Sequence, residues 1–567
     1  MRRDRSRWST ILMMQVLSAA EMQECDRATT ERFGIPSLEL MRNASTAVAA
    51  FVRMQFPRAR RISVLCGRGN NGGDGMMAAR LLAASGLDVT TLLLGAPAGL
   101  KGDAAQAWLE LTSPAHGIIH AVNAPEELAR HNGALEADLI VDAVLGTGFK
   151  PPMKGLALAA LAWLKGSVAP ILAVDLPSGW AADETAATLT TPVFPADAVI
   201  TFTAPKPAHV FGQLTRRWDQ PVVVTPIGSP DAAVVSALGL SWAGSALSLV
   251  QAPRAASANK GNFGHVLVVG GSLGTAGGKS GAPAMTALGA LRAGAGLVTA
   301  AVPAPALALV ASVATELMTW PLIATPSGQT SADNLAPELV SAFTEGKTVM
   351  AIGPGLGQCG ETIKFTTGLL SATKMPAVID ADALNILASK PVLLAKLAKG
   401  RTLVLTPHPG EMARLAGVTT AEIQANRLEI ARDFAQRNAV TLVLKGARTL
   451  IAHPDGRVAV NTTGNPGMAK GGSGDLLTGM VAGLLAQYPR EAALAVEAAV
   501  YLHGLAADLA VREADEHTLL ATDSLAQLSR AFRHRPLTFP TGGQNRYVWY
   551  QGLPANSPAV ASREAPE

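Results

Sequence analysis

The 567-residue sequence predicts an α/β protein of two domains, each built on a mostly parallel sheet with helices on both faces. A single hydrophobic core rarely grows beyond about 250–300 residues, so this length favours two domains. Short, continuous apolar runs alternate with helical segments along the chain, which is typical of strands buried on both faces. The 55 glycines, against 13 Phe, 8 Trp and 4 Tyr, indicate many tight turns and small-residue packing.

Helices are predicted over 17–55, with a break at Gly34-Ile35-Pro36, and a further helix is predicted from Gly75. In the first half we predict strands over 61–65, 89–94, 139–144, 170–175, 198–202 and 221–225. A second series is predicted over 265–269, 297–302, 348–352, 377–380, 402–406, 441–444 and 449–452.

The predicted organisation is a leader (1–13), an N-terminal domain (14–228), a linker (229–240), a C-terminal domain (241–535) and a tail (536–567). The linker is rich in Ala, Ser, Gly and Pro. Gln15 interrupts the apolar run near the N-terminus, which disfavours a signal peptide. The tail carries an aromatic patch over 547–550, which we expect to be disordered or packed on the surface.

Composition excludes several classes of protein. The chain is 49% hydrophobic and 16% charged, which excludes wholesale disorder. The net charge of +4 is dispersed, so we predict no nucleic-acid binding. No apolar run reaches about 18 residues without a break, so we predict no membrane span. Cys25, Cys66 and Cys359 lie far apart, which argues against a zinc site or disulfides and predicts a cytoplasmic location.

The strongest motif of the N-terminal half is CGRGNNGGDG, residues 66–75, after the first strand. Its glycines can bring backbone N–H groups close to phosphate, although a tight turn without a ligand would use the same glycines. Asn71 and Asp74 add amide and carboxylate oxygens, which suit hard cations. Asp142, Asp175 and Ser178 follow two other strands. Because ligands of open α/β sheets bind at the carboxyl ends of strands, we expect these side chains to converge.

The motifs LSAAEMQECDRATTERFGIPSLELM, NNGGDG, VDAVLGTG, VDLPSG and TFTAPKP resemble the NAD(P)H-hydrate epimerase domain over about residues 14–228. The resemblance implies a Rossmann-like doubly wound sheet that binds hydrated NADH or NADPH (NADHX or NADPHX). The implied substrate residues are Asn70, Asn71, Gly72, Gly73, Asp74, Gly146, Thr147, Gly148, Phe149, Lys150, Pro151, Pro152 and Asp175. It also implies a potassium ion near Asn71, Asp142 and Ser178. Arg42 departs from the family, which usually carries an acid there, and could alter a helix contact.

Inverting the hydroxylated carbon of the ring requires a group that helps the hydroxyl leave and return. Asp175 is the candidate acid/base for this step. Lys206 is a weaker candidate, since a solvated lysine on a proline-bounded loop would explain it equally well.

In the C-terminal half, the glycine-rich run over 464–475 precedes an apolar helix predicted from Leu476. Backbone N–H groups in such a run can hold phosphate oxygens during phosphoryl transfer. Asp475 could orient or deprotonate a hydroxyl nucleophile, or could simply cap the helix. His408, between two prolines at a strand end and close to Glu411, is expected to contact a ligand.

The GGSGD run resembles the ribokinase-like superfamily, and NKGNFG, GPGLG, DADALN, TPHPGEMARL, LKGARTLI and NTTGNPGMAKGGSGDLLTGM resemble its NAD(P)H-hydrate dehydratase branch over about 241–535. The resemblance implies that Ala282, Gly357, His408 and Asp475 contact the hydrate. It implies nucleotide binding by Lys445, Gly446, Ala447, Arg448, Thr449 and Gly474, with ADP as cosubstrate and Mg²⁺. Homo-oligomers are common in this fold family. Lys470 stands where relatives often have a small residue.

The predicted function is therefore repair of NADHX and NADPHX: epimerisation of the R and S hydrates, and dehydration of the S form with ADP, giving AMP and phosphate. Asp475 would act as the base of the second reaction. One alternative is a ribokinase-type small-molecule kinase fused to a nucleotide-binding domain. Others are an N-terminal scaffold and an NAD-dependent dehydrogenase, although the ribose-binding acid of a dehydrogenase is missing because Asp88 precedes its strand.

Overall fold

The computed structural model describes residues 14–275, 277–538 and 546–553 and contains two compact units. The N-terminal unit comprises Met14–Leu240 together with the segment from Arg535 onward. The C-terminal unit comprises Ser241–His534. Both are α/β units, in agreement with the predicted fold class.

The N-terminal unit alternates helices and strands. Its helices are α1 (Ala19–Glu31), α2 (Ser37–Gln55), α3 (Asn70–Ala84), α4 (Gly102–Thr112), α5 (Gly155–Leu164) and α6 (Pro207–Phe211). Its first seven strands are β1 (Arg61–Cys66), β2 (Asp88–Leu94), β3 (Ile118–Val122), β4 (Leu139–Ala143), β5 (Ile171–Val174), β6 (Ala198–Phe202) and β7 (Val222–Thr225). These strands are parallel in the order β3-β2-β1-β4-β5-β6-β7. This order reverses between β1 and β4, as in Rossmann-type sheets.

Helix α3 begins at Asn70, five residues before the predicted start, and the reason is close packing of glycines. A Cβ on Gly72 would lie 1.9 Å from the Gly67 carbonyl oxygen, and one on Gly75 would lie 2.5 Å from Ala143 Cβ. Without side chains at these positions the helix approaches the sheet closely. Most of the glycines of the motif therefore belong to the first turns of a helix rather than to a loop.

The aromatic patch of the tail forms a strand, so the prediction that it is disordered or on the surface was wrong. The segments β20 (Leu537–Thr538) and β21 (Tyr547–Gln551) extend the N-terminal sheet, with β21 antiparallel to β7. Tyr547 and Trp549 are buried in the same core as Phe51 of α2, and Tyr547 Oη donates to the Ala47 carbonyl at 2.8 Å. Tail residues 539–545 and 554–567, and the leader, lie outside the described residues.

The C-terminal unit is built on a ten-stranded sheet. Its strands, with one small hairpin, are β8 (Leu240–Trp242), β9 (His265–Val269), β10 (Leu273–Gly274), β11 (Gly277–Gly278), β12 (Leu297–Pro303), β13 (Met318–Leu322), β14 (Val349–Ile352), β15 (Ala377–Ile379), β16 (Leu403–Leu405), β17 (Thr441–Leu444), β18 (Leu450–Ala452) and β19 (Val458–Val460). The sheet order is β13-β12-β9-β14-β15-β16-β17-β18-β19-β8, parallel from β13 to β17. Strands β10 and β11 form a separate antiparallel pair. Strands β17, β18 and β19 then pair antiparallel.

The helices of this unit cover the sheet. They are α7 (Leu247–Val250), α8 (Gly281–Arg292), α9 (Leu307–Ala311), α10 (Pro337–Thr344), α11 (Gly360–Ala372), α12 (Ala381–Ala388), α13 (Pro391–Leu397), α14 (Pro409–Ala416), α15 (Thr420–Ala425), α16 (Arg427–Asn438), α17 (Ser473–Gln487), α18 (Ala492–Ala510) and α19 (Ala521–Arg533). Helix α18 is long and apolar enough to cross a membrane by length and composition. However, 78% of its apolar window is buried within the protein, as expected for a core helix.

Candidate functional site

The N-terminal unit contains an open cleft of about 1070 Å³ at the carboxyl ends of its strands, where the strand order reverses. Such a switch point is where open α/β sheets bind ligands. Eight residues expected to bind substrate line it: Asn70, Asn71, Asp74, Gly146, Thr147, Gly148, Phe149 and Asp175. Gly72 and Gly73 are instead buried in α3, and Lys150, Pro151 and Pro152 are exposed and do not line the cleft.

Asp175 follows β5 and is held by four side-chain hydrogen bonds. Its Oδ2 accepts from the Thr147 N–H and Oγ1, both at 2.6 Å. Its Oδ1 accepts from Thr201 Oγ1 at 2.8 Å and from Lys206 Nζ at 2.9 Å. Burial alone would raise the pKa of Asp175, but Lys206 and these donors outweigh burial and hold it well below its usual range. Asp175 is therefore a fixed anion, better suited to stabilising positive charge than to supplying a proton.

Lys206 is buried, so the alternative of a solvated loop lysine is wrong. Its side chain is 2% exposed, and Nζ donates to Thr201 Oγ1 at 2.7 Å as well as to Asp175. His209 completes the cluster: the Lys206 N–H donates to its Nδ1 at 3.0 Å, so Nε2 carries the proton and donates to the Asp175 carbonyl at 2.8 Å. Asp175 itself has a φ of +66°, an uncommon backbone conformation for a residue other than glycine.

Asp142 and Ser178 are fully buried and do not line the cleft, but they lie directly behind Leu145, which does: the Leu145 N–H donates to Ser178 Oγ at 2.8 Å. Ser178 donates to Asp142 through its hydroxyl at 2.6 Å and through its N–H at 2.8 Å. Burial raises the pKa of Asp142 to about 6, and no cation pairs with it among the described residues. Nearby, Asn71 has both side-chain polar atoms buried without a hydrogen-bond partner. A Cβ on Gly146 would lie 3.0 Å from Asn71 Cγ and 2.9 Å from Asp175 Oδ2, which places the amide beside Asp175.

Three further carboxyl groups line the cleft, those of Asp26, Asp74 and Asp103, and the sequence indicated only Asp74. Burial, reinforced by Asp175, Asp26 and Asp103, raises the pKa of Asp74 well above its usual range. Asp26, on α1, was missed. The sequence did contain a hint: Asp26 follows Cys25 on the side of α1 that packs against the protein, where a carboxyl group is unusual.

Arg42, the departure from the family pattern, lies on α2 and pairs with Glu110 of α4 at 2.7 Å. Arg80 of α3 approaches the same carboxylate at 3.7 Å. The substitution is therefore accommodated by an exposed ion pair between helices.

In the C-terminal unit, Asp475 lies in the first turn of α17. The N-cap of this helix is Gly472, so the interpretation of Asp475 as the cap residue was wrong. Burial and the neighbouring Asp380 raise the pKa of Asp475 to about 6, opposed by Lys445 and Lys279. A carboxylate with this pKa can take a proton from a hydroxyl near neutral pH.

Lys445, at the end of β17, binds carboxylates beside Asp475. Its Nζ lies 3.0 Å from Asp380 Oδ1 and 3.8 Å from Glu411 Oε2. Burial lowers the pKa of Lys445, but these carboxylates outweigh burial and raise it overall, so the lysine stays charged. A Cβ on Gly474 would lie 3.4 Å from Lys445 Nζ, which brings the glycine-rich helix start directly over this cation.

His408 caps α14 as well as facing outward. Its Nδ1 accepts from the N–H groups of Gly410 at 3.0 Å and Glu411 at 3.3 Å, while Glu411 Oε2 accepts from the His408 N–H at 2.8 Å. The side chain is 52% exposed, so a ligand can still reach it. Besides its expected contact with a ligand, His408 therefore caps the N-terminus of α14, a role that the sequence did not indicate.

Gly357 contacts the buried Asp382, and Ala282 lies close to the turn that carries Gly357. Asp382 Oδ2 accepts from the Gly357 N–H at 3.0 Å and from Lys279 Nζ at 3.3 Å. A Cβ on Gly355 would lie 3.3 Å from Ala282 Cβ, so the GPGLG turn packs onto the start of α8. The structure therefore links these two expected substrate residues through the GPGLG turn.

The segment from Lys445 to Thr449 is organised by an arginine that the sequence did not reveal. Arg427 of α16 donates to the carbonyls of Ala447 at 3.1 Å and Leu444 at 3.3 Å. Gly446 and Ala447 are exposed, and Arg448 Nη1 donates to the Thr462 carbonyl at 3.1 Å. Arg427 thus positions the expected nucleotide-binding turn without belonging to it.

The glycine-rich run is anchored by Asp508 of α18. This carboxylate accepts from the Gly464 N–H at 2.9 Å and from Asn465 Nδ2 at 3.0 Å. Lys470 donates to the His517 carbonyl, so its ammonium group points away from the glycine-rich run. The unusual lysine therefore leaves the helix start of α17 unobstructed.

Comparison with known proteins matches both units. One family model, described as the YjeF-related protein N-terminus, covers residues 37–208, and another, described as NAD(P)H-hydrate dehydratase, covers residues 266–530. The bifunctional NAD(P)H-hydrate repair enzyme of Moorella thermoacetica is 42% identical over 92% of this chain and 97% of its own. That of Escherichia coli is 37% identical over 90% of this chain and 93% of its own.

Among solved structures, the ADP/ATP-dependent NAD(P)H-hydrate dehydratase of Bacillus subtilis, co-crystallised with ATP and Mg²⁺, is 33% identical. The alignment covers 51% of this chain and 96% of that one, with a TM-score of 0.42.

Proposed function

Because this chain belongs to the family of bifunctional NAD(P)H-hydrate repair enzymes, we propose that its N-terminal unit epimerises hydrated NADH and NADPH and its C-terminal unit dehydrates the S form with ADP. The observation that carries the proposal is that each unit has its own polar site, each containing buried carboxyl and lysine groups. A kinase fused to a passive binding domain would not require the Asp175–Lys206 pair in its N-terminal unit.

The dehydration is proposed to begin at Asp475. Its carboxylate takes the proton of the substrate hydroxyl, whose oxygen attacks the terminal phosphorus of ADP as the bond to AMP breaks. Lys445 and the N–H groups at the start of α17 stabilise the phosphoryl oxygens. The phosphate then leaves as the ring-nitrogen lone pair forms an iminium ion. Loss of a proton from the adjacent carbon restores the reduced ring.

Magnesium fits this site because Asp380 and Asp382 add carboxylate oxygens close to Lys445 and Gly357. Mg²⁺ keeps several waters and is held mainly by substrate phosphates, so it needs only one or two protein ligands. When bound, it would offset charge on the phosphates. ADP as the nucleotide belongs to the proposal, since the Bacillus subtilis relative is ADP/ATP-dependent by name.

Beside the epimerase cleft, the residues fit a potassium ion. The buried Asp142 carboxylate has no cationic partner in the described residues, and the Asn71 amide oxygen is buried and unpartnered. Oxygen ligands of this kind suit a hard cation. Asn71, Asp142 and Ser178 would hold the ion, which would supply positive charge beside the bound substrate. The free Asn71 amide N–H group is then available to a substrate oxygen.

The remaining substrate assignments are part of the same proposal. Asn70, Asp74, Gly146, Thr147, Gly148 and Phe149 would contact the hydrate in the cleft. Gly72 and Gly73 would act by letting α3 pack closely, and no substrate contact is proposed for Lys150, Pro151 or Pro152, which do not line the cleft. We also include a homo-oligomer and a cytoplasmic location, the latter supported by three free cysteines. Light scattering of the purified chain tests the oligomer.

The proposal is tested by following each NADHX epimer separately with ADP or ATP, for the wild type and Asp475→Ala. We expect Asp475→Ala to lose dehydration by at least about 100-fold, because a general base contributes that much, while epimerisation persists. Asp433→Ala, on the exposed face of α16, is the matched control and should retain both activities. Phosphorylation of a vitamin or sugar alcohol without NADHX consumption would instead establish the kinase alternative.

A further inference from the structure

Helix α1 brings a carboxyl group into the epimerase cleft that the reaction as described does not use. Asp26 lines the cleft with Asp74, Asp175 and Lys206. Its Oδ1 is buried and has no hydrogen-bond partner. An unpartnered buried carboxyl oxygen is costly, and a carboxyl group of this kind in a cleft is a candidate for proton transfer.

Asp26 is surrounded by charged and titratable groups of both signs. Asp175, at the end of β5, and Lys206, before α6, act on its carboxyl group with opposite effects, and Asp74 of α3 interacts with it. The other charged groups that line the cleft are Arg68, Asp103 and Lys154. Lys206 is already bound to Asp175 at 2.9 Å and to Thr201 at 2.7 Å. The positive charge nearest to Asp26, that of Lys206, is therefore already paired with Asp175.

The two carboxyl groups consequently differ in protonation. Burial raises the pKa of Asp26 to about 6, with Asp175 adding to the effect and Lys206 opposing it. The pKa of Asp175, by contrast, is held low by Lys206 and by the hydrogen bond from Thr147, which keep it ionised. Neighbouring carboxyls whose surroundings push them in opposite directions are a common arrangement for an acid beside a charge stabiliser.

We infer that Asp26 is the proton donor and acceptor of the epimerisation, with Asp175 as the anion that stabilises the cationic intermediate. This inference rests on the proposed epimerase function of the N-terminal unit. The sequence alone favoured Asp175 for the proton transfer, but its four hydrogen bonds leave it poorly able to release or hold a proton.

The proposed step begins with protonation of the substrate hydroxyl, which hydration of the ring places on the carbon bonded to the ring nitrogen. Asp26 gives its proton to that hydroxyl, the C–O bond breaks with release of water, and the nitrogen lone pair forms the C=N bond of an iminium ion. Water then adds to either face, the electron pair returns to nitrogen, and the surplus proton returns to Asp26. Addition to the opposite face inverts the carbon.

The test compares the wild type with Asp26→Asn in the full-length chain, using one purified NADHX epimer without nucleotide and subtracting the uncatalysed rate. We expect catalysed epimerisation to fall by at least about 100-fold, the usual contribution of a general acid–base group. Dehydration of the S form, measured in the same preparation, should be unchanged. Glu24→Gln, an exposed carboxyl-to-amide change on the same helix, should epimerise normally.

A pH profile separates proton transfer from a structural effect. Because the acid must be protonated in the free enzyme, wild-type kcat/KM for epimerisation should decline as the pH rises above about 6. Asp26→Glu should recover part of the rate and keep this decline, whereas Asp26→Asn should lack it.

Catalysed epimerisation of Asp26→Asn within threefold of the wild type would overturn the inference. If Asp26→Asn does not fold, the pH profile of the wild type is the test. A kcat/KM for epimerisation that does not change between pH 5 and 8 would then overturn the inference. Absence of catalysed epimerisation in the wild type would instead refute the proposed function of the unit, so the two failures are distinguishable.

Discussion

Replacing Lys206 by methionine tests how the N-terminal unit keeps Asp175 ionised. Methionine preserves most of the length of the side chain but removes the cation 2.9 Å from Asp175 Oδ1. Removing one partner of a buried ion pair typically costs about 3–5 kcal/mol, since the remaining charge is left uncompensated. Thr147 and Thr201 still donate to Asp175, so we expect the lower end of that range.

The cost should depend on pH. In the wild type the pKa of Asp175 is depressed, so its stabilising contribution is present above its unfolded pKa of about 3.9 and is lost as the pH falls through the folded pKa. In Lys206→Met, burial should raise this pKa above the unfolded one. The variant then loses stability as the pH rises from about 4. The difference in unfolding free energy should therefore widen between about pH 4 and pH 7.

Hydrogen exchange measured by mass spectrometry resolves the two units in one molecule. Peptides covering β5 should lose protection in Lys206→Met, while peptides covering β14 of the C-terminal unit serve as an internal reference. Lys165→Met, at the exposed end of α5, is the matched control. A loss below about 1 kcal/mol, or an equal loss at pH 5 and pH 7, would refute the reasoning, because breaking a buried pair must cost more at the pH where Asp175 is charged.

Three other changes probe separate features. Trp549→Ala should destabilise the N-terminal unit by about 3–5 kcal/mol, because the ring is buried. On heating, this variant should lose epimerase activity at a lower temperature than dehydratase activity, and loss of both at the same temperature would contradict the prediction. Arg427→Met should release the carbonyls of Leu444 and Ala447 and so raise the KM for ADP about tenfold, which corresponds to about 1.4 kcal/mol of binding free energy. An unchanged KM would show that Arg427 does not position the nucleotide-binding turn. Asn71→Ala should abolish any stimulation of epimerisation by potassium over tetramethylammonium, and an undiminished stimulation would remove Asn71 from the ion site.

Much of the sheet could be predicted because its central strands are continuous apolar runs. Strands such as β1, β6 and β14 are buried nearly throughout, so hydrophobicity alone located them. Two of the missed strands, β3 and β13, lack this signal. Strand β3 is largely half-exposed at the sheet edge and contains His120, and β13 is partly exposed and contains a proline. Their pairing depends on a neighbouring strand rather than on their own composition.

Local motifs were enough to place Asp142 and Asp175 at strand ends and Asp475 at the start of a helix. The site was not predictable where a residue acts through a partner far along the chain. Asp26 reaches the cleft from α1, and Arg427 supports a turn about twenty residues away. Local sequence also did not show that Lys206 is buried, because its ion-pair partner Asp175 comes from the end of β5, 31 residues earlier in the chain.

The course of the chain has a consequence for its synthesis. The chain leaves the N-terminal unit after Leu240, forms the whole C-terminal unit, and returns to supply β21 beside β7. A ribosome therefore finishes the dehydratase unit before the epimerase sheet receives its last long strand. Until then, β7 has an open edge, and the core around Phe51 lacks Tyr547 and Trp549. An epimerase expressed only to residue 240 would keep every cleft residue named above yet begin with an unprotected edge, which favours association between copies.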